Sequence, residues 1–213
     1  MMKLYFVRHG ESEANVLNEI SNRGYKHGLT DKGRRQAELL AQRLLSVGAA
    51  KIFSSPLLRA VQTAEILSTA LQVEIQITVA LREFDCGVIE GKSDPESWAT
   101  HRWVREEWLR HQHWESKIEQ GESFLDIRQR FEPFINHLLE QGRHSDENII
   151  LIGHGGLYIC MLPVVLANID FDFAASHPFP NTAYVLAQAT SAGLVCLEWC
   201  GTIVCQNSPG CNQ

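Results

Sequence analysis

Lys3-Leu4-Tyr5-Phe6-Val7-Arg8-His9-Gly10 is the stretch on which the fold turns. Lys3 to Val7 is a short apolar run with aromatic and β-branched members, and it stops abruptly at Arg8-His9-Gly10. A strand covered by helices on both faces reads this way, because neither face needs polar residues. The pattern returns twice. Lys51-Ile52-Phe53 is a second strand, closed by Ser54-Ser55-Pro56, and Asn148 to Ile152 is a third, ending at Gly153-His154-Gly155-Gly156.

Helical periodicity fills the intervals. Thr30 is a good N-cap with Asp31 in the first turn, and Ala37, Leu40, Ala41 and Leu44 recur at helical spacing to about Ser46. Ser55 can cap, and Pro56 can open, a helix that buries Ala60, Ala64, Leu67 and Leu71. An apolar helix follows the third strand from about Leu157 to Ala167. Residues 183 to 188 and 194 to 199 read as two strands around Thr190-Ser191-Ala192-Gly193. Alternating strands and helices predict a three-layer α/β/α fold with a mostly parallel central sheet and helices on both faces. The 213 residues fit one domain spanning 1–213, without internal repeat or linker.

Residues 93–121 break the rhythm. Four of the five tryptophans lie here (Trp98, Trp103, Trp108, Trp114), with His101, Arg102, Arg105, Arg110, His111 and His113. On a helical wheel they make no single apolar stripe. The segment is expected to be an aromatic-rich helical cap packed on the sheet edge, since Trp mostly supplies packing area. The sharper alternative is a lid whose Arg and His residues help select the substrate.

Composition narrows the function. Apolar residues at 45% against 21% charged exclude wholesale disorder. The net charge of −6 argues against nucleic acid or an anionic membrane as partner. No run approaches the ~18 apolar residues of a membrane span. The apolar run near Met1 is too short for a signal peptide, so a cytoplasmic location is expected. Six cysteines in a chain of this length do not read as a disulfide framework. Cys196, Cys200, Cys205 and Cys211 crowd the end of the chain without a C-x-x-C pair or a histidine, so ordinary reduced thiols are expected there rather than zinc ligands.

The three strand ends carry the chemistry. Ligands in open α/β sheets bind beyond the carboxyl ends of the strands, where helix N-termini offer free N–H groups to anions. Arg8 and His9, Arg59 one turn into the second helix, and His154 with Gly155 should therefore converge on one pocket. Fixed positive charge on Arg8 and Arg59 repels a divalent cation, so the set suits a phosphate-sized dianion better than a metal. No metal and no other cofactor is expected.

These residues carry a family resemblance. Leu4-Tyr5-Phe6-Val7-Arg8-His9-Gly10-Glu11-Ser12-Glu13-Ala14-Asn15 resembles the opening of the histidine phosphatase superfamily, which includes cofactor-dependent phosphoglycerate mutases. The likeness continues at Leu29-Thr30-Asp31-Lys32-Gly33 and through Ser54-Ser55-Pro56-Leu57-Leu58-Arg59-Ala60-Val61-Gln62-Thr63-Ala64. It returns at Leu81-Arg82-Glu83, Glu90-Gly91, Gly121-Glu122-Ser123 and Gly153-His154-Gly155-Gly156. The resemblance implies His9 as the nucleophile, carrying a phosphohistidine intermediate, with Glu83 as general acid and then base. It implies that Arg8, Arg59 and His154 clamp the phosphoryl oxygens, that the Gly155 backbone adds a donor, and that Asn15 adds a neutral one. A small phosphorylated molecule is the implied partner. Oligomeric state is open.

The run Glu83-Phe84-Asp85-Cys86-Gly87-Val88-Ile89-Glu90-Gly91-Lys92 resembles the broad-specificity phosphatase branch, with Ile89 where that pattern usually has Trp. Glu19 to His27 departs from the family's usual Gln-Gly-x-x-Asp loop. A metal-independent phosphomonoesterase is therefore expected, with a phosphoglycerate mutase-type isomerase as the alternative. A non-catalytic phospholigand-binding protein is the alternative of another class. Cys86 reads as a packing residue.

Overall fold

The computed structural model describes residues 1–142, 145–191 and 193–204. In chain order the elements are β1 (Lys3–Arg8), α1 (Glu13–Leu17), α2 (Asp31–Leu44), β2 (Ala49–Ser54), α3 (Leu58–Leu71), β3 (Ile75–Ile77) and α4 (Pro95–Leu109). There follow α5 (Phe124–Gln141), β4 (Asn148–Gly153), α6 (Gly155–Val165), α7 (Phe171–Ser176), β5 (Tyr184–Thr190), β6 (Gly193–Trp199) and β7 (Thr202–Ile203). One sheet has the order β3-β2-β4-β1-β5-β6-β7. Strands β3, β2, β4 and β1 run parallel to one another, and β5, β6 and β7 are added antiparallel. This is the expected α/β/α architecture, with a parallel centre and an antiparallel margin.

Strand alternation builds two cores. Leu4 and Phe6 of β1 and Ile149 and Leu151 of β4 face one side, against Ile127, Phe131 and Ile135 of α5 and Leu157 and Met161 of α6. Tyr5, Val7, Ile150 and Ile152 face the other side, against Ala37, Leu40, Ala41 and Leu44 of α2 and Ala60, Ala64 and Leu67 of α3. Because side chains alternate with a period of two, one apolar run feeds both layers at once. Phe6 is fully buried, and its truncation to Ala would cost about 3–5 kcal/mol.

Several local expectations need correction. The Thr30 side chain does accept from Gly33 N and caps α2 at 3.0 Å. Ser55 does not cap α3. That helix starts at Leu58, with Leu57 held extended as its N-cap residue, while the Ser55 hydroxyl accepts from Leu57 N at 3.3 Å and lies 2.7 Å from His154 Nε2. Helix α6 starts two residues earlier than expected, with His154 as N-cap and both glycines in its first turn. The 93–121 segment does not lie on a sheet edge: α4 packs on α6 and α7, burying Val104, Trp108 and Leu109. Trp114 packs at a tilt against Phe124 and Phe171, with centroids 4.4 and 5.3 Å away. Cys196 lies on β6 and Cys200 follows it, whereas Cys205 and Cys211 fall outside the described residues. No helix among the described residues is long and apolar enough to cross a membrane.

Candidate active site

Parallel pairing sets the site. Arg8 at the end of β1 lies in register with Gly153 at the end of β4, and Ser54 at the end of β2 with Ile152. The next residues along each strand, His9, His154 and Ser55, therefore emerge side by side at the carboxyl edge of three neighbouring strands. His9 and His154 have ring centroids 5.1 Å apart. A cavity of about 330 Å³ opens above them, lined by Arg8, His9, Asn15, Arg59, Glu83 and Gly155 among others. Six of the seven residues expected at the site thus border one cavity. The seventh, His154, lies just behind His9 and is fully buried.

The partners of His9 decide its tautomer. Its Nδ1 lies 2.6 Å from the Gly10 carbonyl, which can only accept, so Nδ1 carries the proton. Nε2 keeps its lone pair and accepts from Arg59 Nε–H at 3.1 Å. Burial, followed by the charges of Arg59 and Arg8, holds His9 well below the usual histidine range, so the ring is neutral at pH 7. Burial, Arg59, His9 and Arg8 act the same way on His154.

The two arginines are fixed by backbone. Arg8 donates to the Phe179 carbonyl at 2.6 Å, and its buried Nε has no protein partner among the described residues. Arg59 donates from one terminal nitrogen to the Ser21 carbonyl at 2.7 Å and from the other to Asn22 Oδ1 at 3.4 Å. Burial lowers Arg59 to about 10, which leaves it charged at neutral pH. His154 Nδ1 is a second buried ring nitrogen without a partner among the described residues. Arg8 Nε and His154 Nδ1 are thus free to take oxygens of an anion seated on His9.

Glu83 sits at the mouth of α6. One carboxylate oxygen accepts from Gly156 N at 2.9 Å and the other from Phe84 N at 3.1 Å. Only glycine allows this approach, since a Cβ on residue 156 would lie 2.9 Å from both Glu83 oxygens. Asn15 accepts on Oδ1 from Ser12 N at 3.0 Å and from Asn181 Nδ2 at 3.3 Å, leaving its own amide N–H groups to donate into the cavity.

Sequence patterns do not reveal the supports of these groups. Ser21 and Asn22 lie in the loop that departs from the family pattern, and Asn22 is tied in turn to Glu90, which accepts from Asn22 N at 2.8 Å. Trp98, His101 and Arg105 of α4 also line the cavity, so the segment expected chiefly to pack supplies both core and pocket wall. The Cys86 thiol is fully buried, and burial pushes it upward from its ordinary range, which suits a packing role. Among the described residues no three His, Cys, Asp or Glu side chains cluster as a set of metal ligands.

A neutral buried histidine beside two arginines, at the carboxyl edge of a doubly covered sheet, is an arrangement whose charge and donors suit an oxyanion. The profile of the histidine phosphatase superfamily, branch 1, matches residues 4–202, and the chain belongs to that family. A relative from Proteus mirabilis named "Probable phosphoglycerate mutase GpmB" is 36% identical over 169 residues, covering 78% of this chain and 75% of that one. The 6-phosphofructo-2-kinase/fructose-2,6-bisphosphatase of Gallus gallus is 35% identical over 166 residues, 76% of this chain and 32% of that much longer one. Among solved structures, Bacillus stearothermophilus YhfR is 26% identical with a TM-score of 0.79, covering 96% of this chain and 98% of that one. A mycobacterial glucosyl-3-phosphoglycerate phosphatase shares the fold at 22% identity and a TM-score of 0.80, covering 92% of this chain and 98% of its own.

Proposed function

We propose that the protein is a phosphomonoesterase that works without a metal, through a phosphohistidine on His9. The observation that carries this reading is the state of His9: it lines the cavity with Arg8 and Arg59, is neutral, and keeps on Nε2 a lone pair that only the Arg59 Nε–H covers. Substrate oxygens take the donors of Arg8, Arg59, His154 and Asn15 and of the Gly155 backbone, and His9 Nε2 attacks phosphorus. The P–O bond to the leaving group breaks as the P–N bond forms, and Glu83 delivers a proton to the departing oxygen. Glu83 then takes a proton from water, which attacks the phosphohistidine and releases phosphate and free His9. The arginines carry the charge of the transferring group, so no cation is needed.

The run Glu83 to Lys92 supports hydrolysis over isomerisation, as its pattern resembles the phosphatase branch. A mutase reading is favoured by one observation, the name of the Proteus mirabilis relative. The two readings share every residue above and differ in whether water or a second hydroxyl receives the phosphoryl group. The chain is read as one domain over 1–213, with residues 93–121 as its cap.

Hydrolysis of p-nitrophenyl phosphate in excess EDTA, beside His9→Ala, tests the proposal. Turnover that persists in EDTA and vanishes in the variant is expected. Turnover that EDTA abolishes, or that His9→Ala retains, overturns it.

A further inference from the structure

The Ser21–Asn22 peptide meets a charged side chain at each of its two polar ends. Its carbonyl accepts from an Arg59 terminal nitrogen at 2.7 Å, and its N–H donates to Glu90 Oε2 at 2.8 Å. The C=O and N–H of one planar peptide point to opposite sides and turn together. Glu90 therefore holds, from behind, the plane on which Arg59 rests. Arg59 in turn donates its Nε–H to His9 Nε2 at 3.1 Å, which completes a chain of hydrogen bonds from Glu90 to His9. Each bond in such a chain polarises the next. The charge of Glu90 also reaches Arg59: burial lowers that guanidinium to about 10, and Glu83 and Glu90 act against the fall.

The second Glu90 oxygen is committed as well. Oε1 accepts from Cys86 N at 3.0 Å, in the segment that follows Glu83. One half-buried carboxylate thus joins the segment behind Arg59 to the segment behind Glu83, while Glu90 itself lies outside the cavity lining. Docking of the two segments does not depend on it. Ile20 N donates to the Lys92 carbonyl at 2.9 Å and Gly91 N to the Ile20 carbonyl at 2.7 Å, so backbone alone ties them. Asn22 Nδ2 adds a bond to the Phe84 carbonyl at 3.0 Å. What Glu90 supplies is the direction of the Ser21 carbonyl.

We propose that Glu90 is a positioning residue, which aims the Arg59 guanidinium at His9 through the Ser21–Asn22 peptide without touching the substrate. This rests on the phosphoryl-transfer reading of the pocket.

A double-mutant cycle tests it on p-nitrophenyl phosphate, whose leaving group needs no proton, so that any effect through Glu83 stays small. Glu90→Ala is expected to lower kcat/KM by about 10- to 100-fold, the scale of a charge-assisted hydrogen bond. In the Arg59→Gln background the same change is expected to cost less than about threefold, because the group it aims is gone. Glu90→Ala is also expected to move the acid limb of the kcat/KM profile to higher pH. The charges that act on His9 are those of Arg59 and Arg8, and an ill-placed Arg59 opposes protonation less. Loss of a negative charge by itself shifts that limb the other way, so the direction separates positioning from direct electrostatics. Inorganic phosphate titrated into the same four proteins gives the cycle in dissociation constants, independent of turnover. Where Glu90→Ala does not fold, Glu90→Gln, which keeps the size and one of the two hydrogen bonds, carries the same cycle with a smaller loss. Equal losses in both backgrounds, or an acid limb that stays in place or moves to lower pH, overturn the proposal. With a wild type that turns over and binds phosphate, those results leave the phosphatase reading standing. A wild type that does neither overturns both.

Discussion

Arg59 donates its Nε–H to Nε2 of His9 at 3.1 Å, so the guanidinium covers the lone pair with which the proposed reaction begins. The same contact keeps a proton off His9, because a second positive charge beside the guanidinium is unfavourable. On the proposed reaction, a phosphoryl oxygen would take over this donor and uncover the lone pair.

Arg59→Gln should therefore act on rate and on titration together. Loss of one charged donor to the transition state lowers kcat by about 10²–10³-fold. Removing the charge also lets the pKa of His9 rise, so the acid limb of the kcat/KM profile moves to higher pH. A profile between pH 5 and 8 checks this, and an acid limb that stays in place excludes the coupling.

Glu83→Gln should lose about 10²–10⁴ in kcat on alkyl phosphates and least on p-nitrophenyl phosphate, whose leaving group needs no proton. A leaving-group series measures it. Equal losses across the series argue against proton donation by Glu83.

Gly156→Ala should mimic part of that loss without touching the carboxyl chemically. The added Cβ falls 2.8 Å from the buried Phe84 ring and 2.9 Å from both Glu83 oxygens, so it presses on the core and displaces the carboxylate from the Gly156 N–H. Reduced kcat together with a lowered thermal midpoint is the expected pair of results. Unchanged kcat would show that the position of Glu83 at the helix mouth is irrelevant.

Ser55→Ala removes the one hydrogen-bond partner described for the His154 ring. A buried ring nitrogen left unpaired costs about 1–3 kcal/mol, and a freed ring holds the phosphate less well. Denaturant unfolding should register the loss of stability, and KM for p-nitrophenyl phosphate should rise. A variant as stable as wild type would place the Ser55 hydroxyl outside the support of His154.

Acid should destabilise the fold early. His9, His101 and His154 all titrate below their unfolded value of about 6.5. Above that pH both states hold these rings neutral and the difference vanishes. As pH falls below it, the unfolded chain takes up protons that the native state refuses, so each ring removes up to about 1.4 kcal/mol per pH unit. Thermal midpoints from pH 7 to 5 should fall, and His101→Phe, which keeps the stacking surface on Phe84, should flatten the slope. A slope that the variant leaves unchanged would exclude His101 from the effect.

Much of this site is legible in the sequence because its groups follow strands. An apolar run that ends in Arg8-His9-Gly10 or Gly153-His154-Gly155 announces both the strand and the pocket at its tip. Other parts carry no local signal. Arg59 is held by the Ser21 carbonyl and Asn22, across 38 and 37 residues, through contacts that no periodicity encodes. The three residues of β3 and two of β7 are too short to show alternation. Helix α4 lacks an apolar stripe because two of its faces are used, Val104, Trp108 and Leu109 toward the core and Trp98, His101 and Arg105 toward the cavity. Ser55 reads as a cap because serine before proline often is one, but its hydroxyl closes a turn onto Leu57 N ahead of the helix and also meets His154 across 99 residues, a contact no local pattern encodes.

The most direct measurement is a rapid acid-free quench of the enzyme with a radiolabelled phosphate ester, followed by peptide mapping. A label stable to alkali, lost in acid, found on the peptide that holds His9 and absent from His9→Ala is the predicted result. Product formed in a single turnover with no labelled enzyme, or a label that survives His9→Ala, would contradict a phosphohistidine on His9.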